Sequence, residues 1–261
     1  MPPGPRLPLA AALISAAAPA GAQRLPYADL DEPPPAAAAD AEAEAEAEDS
    51  SNPPWLQYAL LDRFEWGFAE GGDGYSWDFS ALLGGDTNRV YLASTGEGAS
   101  SGRLDYLELN ALYSRAVGGD WDLNLGIRYD AIPRPDRVYA TFGAQYDDDR
   151  LWLGVWSYLS HKGELSARLA AYYNLVLTGP LVLQPSFELD ASASDVEALG
   201  LGRGLTYGEL GLRLRYEIRP QFAPYVGLAW SRDLGRTARL TRAEGEDPEA
   251  KNLVLGLRSQ F

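Results

Sequence analysis

The sequence contains no cysteine, one methionine and one histidine among its 261 residues. Without cysteine there can be no disulfide framework, no thiolate zinc or iron–sulfur centre and no cysteine nucleophile. With histidine so scarce, Ser-His-Asp chemistry would have only His161 to use. Basic residues are also few: 22 Lys and Arg stand against 37 Asp and Glu, a formal charge of −15. Nucleic acid is thereby excluded as a partner, because neutralisation of phosphates by clustered Lys and Arg supplies most of such binding. Beyond the N-terminal segment no apolar run approaches the ~20 residues that a membrane-crossing helix needs. A membrane barrel crosses with strands and escapes that exclusion.

Residues 1–22 have the form of a secretory signal, with Arg6 as the basic start, an apolar stretch from Leu7 to Ala18, and Ala20-Gly21-Ala22 as a small-x-small cleavage site. Pro2, Pro3, Pro5 and Pro8 speak against a buried helix there. Cleavage would leave Gln23 as the mature N-terminus and remove Met1, and with it the last sulfur. Residues 23–54 turn to Ala, Pro and acid, including the alternating run from Ala41 to Glu48. Little there can be buried, so this stretch is expected to be a disordered periplasmic tail, either a solvated spacer or a segment that attracts cations.

From Trp55 to the end the apolar period is two. Trp121, Leu123, Leu125, Ile127 and Tyr129 alternate with Asp122, Asn124, Gly126, Arg128 and Asp130. Leu210 to Ile218 and Leu181 to Asp190 repeat the pattern, and Leu165 to Leu177 keeps Leu, Ala and Tyr on one parity. Some twelve such segments follow one another, separated by Gly, Asp, Asn and Pro clusters. The expected gaps are alternately short and long, with the longest at Ser192 to Thr206 and Leu234 to Lys251. This predicts an all-β, antiparallel up-and-down transmembrane barrel over residues 55–261, its short turns periplasmic and its long loops outside.

A soluble sandwich would share the period of two. A closed barrel of this size, however, has a lumen too wide to fill with Leu and Val, which turns the polar face inward and the apolar face to lipid. Trp55, Trp66, Trp77, Trp121, Trp152 and Trp230 at segment ends are expected to form interfacial girdles, and Phe261 to close the last strand. Parity then assigns to the lumen Arg63, Glu65, Glu108, Arg128, Asp130, Arg168, Glu188, Glu209, Arg213, Arg215 and Glu217, which either brace the wall as ion pairs or contact a passing ion. Asp78, Arg89, Asp122, Asn124, Asp190 and Arg258 share that parity.

The stretches Leu61-Asp62-Arg63-Phe64-Glu65-Trp66, Gly84-Gly85-Asp86-Thr87-Asn88-Arg89, Gly126-Ile127-Arg128-Tyr129-Asp130 and Phe222-Ala223-Pro224-Tyr225-Val226-Gly227, among others, resemble the copper resistance protein B family of Gram-negative outer membranes. The resemblance implies an outer-membrane barrel in contact with lipid, acting in copper homeostasis beside a periplasmic multicopper oxidase. Family members often carry a Met- and His-rich N-terminal segment, whose place here holds the Ala-Glu repeat. Oxygen ligands and one imidazole suit Cu(II) rather than soft Cu(I). Candidate metal ligands are His161, in a turn, and Glu244, Glu246 and Asp247 in the last long loop; Asp147, Asp148 and Asp149 form a further acidic turn. No organic cofactor and no catalysis are expected: a barrel hydrolase would need a nucleophile beside its base, and only Ser160 adjoins His161. Two functional readings remain open, a copper-binding or copper-conducting barrel and a general small-ion or structural barrel.

Overall fold

The computed structural model describes residues 55–261 apart from 70, 71, 149 and 220. The expected signal and tail, and Asp149, lie outside the described residues. The chain runs through β1 (Leu56–Ala69), β2 (Gly74–Gly84), β3 (Asn88–Ala99), β4 (Leu104–Gly118), β5 (Trp121–Ile132), β6 (Arg137–Asp147) and β7 (Leu151–Ser160). It continues through β8 (Leu165–Tyr173), β9 (Leu175–Thr178), β10 (Leu181–Ser192), β11 (Gly204–Tyr216), β12 (Phe222–Asp233) and β13 (Glu249–Gln260). Strands consecutive in sequence pair antiparallel, except that β8 and β9 both pair with β10, and β13 returns to β1, so no edge is left across the closing seam.

The barrel has twelve staves because β8 and β9 are two pieces of one, both paired with β10. The break falls at Asn174, whose side-chain Oδ1 accepts from Gln184 Nε2 at 3.0 Å and from Arg215 Nη2 at 3.3 Å. The run expected from Leu165 to Leu177 is thus one stave with an interruption. The other expected segments coincide with strands.

Alternation decides which side chains meet which solvent. Leu123, Leu125 and Ile127 on β5, Leu210 and Leu212 on β11, and Leu253 and Leu255 on β13 all lie on the outside, with Leu125 60% exposed. A wall this apolar over its whole circumference is stable only against hydrocarbon. Aromatic residues ring both rims: Tyr113, Trp121, Tyr216, Phe222 and Phe261 at the short-turn end, Trp66, Phe68, Tyr129 and Trp230 at the other. Phe261 completes the seam through its backbone, its N–H donating to Ala59 O at 2.8 Å and its carbonyl accepting from Ala59 N at 3.0 Å.

Two features depart from simple parity. In β1 the register slips between Leu61 and Arg63 against β2, and between Leu61 and Phe64 against β13. The extra residue of this bulge lets Asp62 and Arg63 both turn inward, and the buried parity changes from Tyr58 and Leu60 to Arg63 and Glu65. The second departure is Trp152, expected in a girdle but 1% exposed and facing the interior. Its strand turns Leu151, Leu153 and Val155 outward, so a residue of even number there must point in, and Trp152 stacks on Tyr172 at 5.3 Å.

The connections β2–β3, β4–β5, β6–β7, β9–β10 and β11–β12, two to five residues each, lie at one end; at the other end four connections have four residues each, and the longest loops join β10 to β11 and β12 to β13. The first of these loops carries a short 3-10 helix (Glu197–Leu199) and the second a helix α1 (Thr237–Ala243). They meet at one rim, where Gly202 N donates to Thr237 Oγ1 at 3.0 Å and Arg236 pairs with Asp195 at 2.9 Å.

Candidate functional site: the ionised lumen

Because inward residues alternate along every strand, the polar half of each segment converges on the barrel axis. Side chains on facing staves then reach one another across the interior. Arg213 of β11 donates to Glu65 of β1 at 2.7 Å, although β12 and β13 lie between them on the wall. Arg63 lies beside this pair, 3.6 Å from Asp78 of β2.

A second group is centred on β4 and β5. Arg128 pairs with Asp130 at 2.7 Å and with Glu108 at 2.7 Å, while Tyr106 and Asn110 donate to the same Glu108 at 2.6 and 2.7 Å. The Arg128 guanidinium also lies over the Tyr158 and Tyr139 rings, 4.6 and 5.3 Å from their centroids. From the far wall Arg168 of β8 holds Asp190 at 2.8 Å and Glu188 at 3.2 Å and approaches Glu108 at 3.8 Å. That last contact crosses the lumen, since β5, β6 and β7 separate the two strands. An internal cavity between the groups is lined by Arg63, Arg213, Glu188, Glu209, Trp152 and Tyr172.

Nearer the short turns the pairs are smaller: Asp62 with Arg258 at 3.1 Å, Arg215 with Glu217 at 3.2 Å, and Arg89 with Asp122. Tyr58, Leu60, Leu82, Tyr91 and Leu112 form an apolar cluster beside them, so the interior is filled rather than open.

Charge is unequal in the central belt. Glu65, Asp78, Glu97, Glu108, Asp130, Glu188, Asp190 and Glu209 face Arg63, Arg128, Arg168 and Arg213, so acids outnumber bases there. To the extent that these carboxyls are ionised, a low-dielectric shell around such a surplus concentrates cations and repels anions. The donors present are carboxylate, hydroxyl and amide oxygens, a set that suits Cu(II) and harder ions and not a thiophilic one.

All eleven lumen candidates from the sequence lie along this inner surface. Glu65, Glu209 and Arg213 fall in one central group and Glu108, Arg128, Asp130, Arg168 and Glu188 in the other, with Arg63 beside the first; Arg215 and Glu217 stand apart. The four metal candidates do not converge. His161 is exposed in the β7–β8 turn, and its Nδ1 accepts from Val138 N at 3.2 Å. Ser160 Oγ donates to Glu164 at 2.7 Å rather than to His161. Glu244 follows α1, and Asp247 accepts from Glu249 N at 3.0 Å. Among the described residues no group of three or more His, Cys, Asp and Glu is placed to hold a metal.

The sequence reading missed the aromatic lining of Tyr58, Tyr91, Tyr139, Tyr158, Tyr207 and Tyr225, together with Trp152 and Trp156. Of these only Trp152 carried an expectation, a place in a girdle; parity within each strand was the signal available for the rest. Trp156 fits inside because Gly143 and Gly154 flank it: a Cβ on either would stand 2.1 or 1.9 Å from its ring.

Closed antiparallel staves, an apolar belt between aromatic rims and an ionised interior define a transmembrane β-barrel of the outer-membrane type. The fold is similar to that of the NanC porin in its rhombohedral crystal form, 13% identical with a TM-score of 0.53 over 76% of this chain and 99% of that one. The family model for the Copper resistance protein B precursor (CopB) matches residues 55–261, and the chain belongs to that family. It is 41% identical over 205 residues to the Copper resistance protein B homolog of Pseudomonas syringae pv. tomato, covering 78% of this chain and 69% of that protein. It is also 39% identical over 207 residues to Copper resistance protein B of Escherichia coli, with the same 78% and 69% shares.

Proposed function

We propose that this barrel passes copper ions, as Cu(II), across the outer membrane in copper resistance, without catalytic turnover. The observation that carries the reading is the carboxylate surplus of the central belt, set in the wall of a copper resistance family member. Arginines that cross the lumen leave no wide channel, so ions advance by exchange between oxygen ligands rather than by free diffusion. Glu65, Glu108, Glu188 and Glu209 are the ion contacts. Arg63, Arg128, Arg168 and Arg213 hold those carboxylates in position, and Arg215, Glu217 and Asp130 extend the polar lining. The short turns face the periplasm, where the acidic tail of residues 23–54 collects cations for, or from, a multicopper oxidase once the signal has been removed.

The purified barrel in liposomes loaded with a copper-sensitive dye tests this. Cu(II) entry faster than into empty liposomes is the expected result, and entry no faster overturns the reading. A general small-ion pore is the second reading, favoured by the lack of a converged metal group among the described residues. Equal rates for Mg(II) and Cu(II) would select it.

A further inference from the structure

Below the belt, Arg215 and Arg258 project from β11 and β13 on one wall of the lumen. On the facing wall of β4, β5 and β6, between the Arg128–Asp130 pair and Asp122, the inward side chains include three short uncharged ones. Ser114 and Asn124 are register partners on β4 and β5, and Thr141 of β6 is the partner of Gly126, two residues along the same inner face.

Ser114, Asn124 and Thr141 are 0, 2 and 1% exposed. Ser114 Oγ, Thr141 Oγ1 and both polar atoms of Asn124 make no hydrogen bond to any described residue. A buried amide and two buried hydroxyls left unsatisfied by protein are costly unless something polar shares their space. Above them on β5 stand Arg128 and Asp130 of the acidic belt; below stands Asp122, paired with Arg89. Along the inner face of this one strand, Asn124 and Gly126 thus form an uncharged stretch between the Arg128–Asp130 pair and the Asp122–Arg89 pair.

We propose that Ser114, Asn124 and Thr141 form an uncharged transit step for a partly dehydrated cation between the carboxylate belt and Asp122. The inference deepens the copper-passage reading and rests on it. Neutral oxygens replace part of a hydration shell without the charge that would trap a divalent ion, which is what a site between two acidic stations requires. Since all three side chains are sealed, each passage displaces neighbouring side chains, and flux is slow and saturable.

The test is Cu(II) entry into liposomes holding the full chain, with Asn124→Leu, Thr141→Val, Ser114→Ala and Asn124→Asp. Gln184→Leu serves as an apolar replacement on the opposite wall, and folding is checked by the gel mobility shift of intact barrels. N124L and T141V are expected to slow Cu(II) entry about tenfold, the factor given by one lost hydrogen-bonding partner at a barrier. N124D should lower both the half-saturating concentration and the maximal rate, and Q184L should stay within about twofold of the parent. Should N124L fail to fold, S114A and N124D carry the same contrast. Parent-like entry in the folded variants of this set overturns the transit step and leaves the conduction reading standing. Entry into parent liposomes no faster than into empty ones overturns both.

Discussion

Replacing Arg213 by Met measures how dry the lumen is. Arg213 reaches Glu65 through two contacts, at 2.7 and 3.4 Å, and the side chains are 6% and 5% exposed. Removing one partner of a sealed pair strands the other charge and costs about 3–5 kcal/mol. Arg63 also faces Glu65 and takes up part of its charge, which puts the expectation at the lower end, about 3 kcal/mol. In a water-filled channel the same change would cost only ~0–1 kcal/mol, the value of a solvated pair. Urea unfolding of the barrel in lipid vesicles, followed by tryptophan fluorescence, reads the difference. Arg213→Met with Glu65→Gln should then recover ~1–2 kcal/mol, because the stranded charge is gone. A single-variant cost below ~1 kcal/mol, or strict additivity in the double variant, refutes a sealed interior.

Three further outcomes are expected. Leu125→Arg puts a charge on the lipid face at one of its two most exposed leucines and should cost ~2–4 kcal/mol in the same titration, whereas a change within error would mean that this face is not in hydrocarbon. Gly143→Ala forces a methyl group to within 2.1 Å of the Trp156 ring; it should destabilise by ~1–3 kcal/mol and shift tryptophan emission, and unaltered emission would contradict the placement of that ring. Burial in the β7–β8 turn opposes ionisation of Glu164, but hydrogen bonds from Arg137 and Ser160 outweigh it and hold the carboxyl below its ordinary 4.5. Its contribution is therefore present above that value and is lost as the pH falls through the lowered one. Amide exchange in the turn should quicken there, while Glu164→Gln should show fast exchange at every pH.

Strand number, closure and the polar inside were legible because a period of two over a dozen segments leaves few solutions. In Trp121 to Tyr129 every odd residue is large and apolar and every even one polar or Gly, so the pattern alone orients the stave. Where both parities carry bulky residues, the same rule lost its force. Trp152 sits one position from Leu151 and Leu153, and hydrophobicity cannot say which of them meets lipid. The bulge at Asp62 was equally hidden, since one inserted residue changes parity without changing composition. Parity was enough to list inward-facing candidates, but not to say which of them meet. The meeting of Arg168 with Glu108, and of Arg213 with Glu65, depends on the curvature that brings distant staves face to face.

The seam between β1 and β13 has a consequence for biogenesis. It joins the first and last staves of the sheet, so the cylinder cannot shut until its final stave is in hand, and every earlier intermediate exposes two raw margins of unpaired backbone. Such an intermediate cannot wait unaided in a bilayer, where unmet amides are severely penalised. A lesion confined to either stave of that seam should therefore hinder closure of the whole cylinder rather than weaken one side of it.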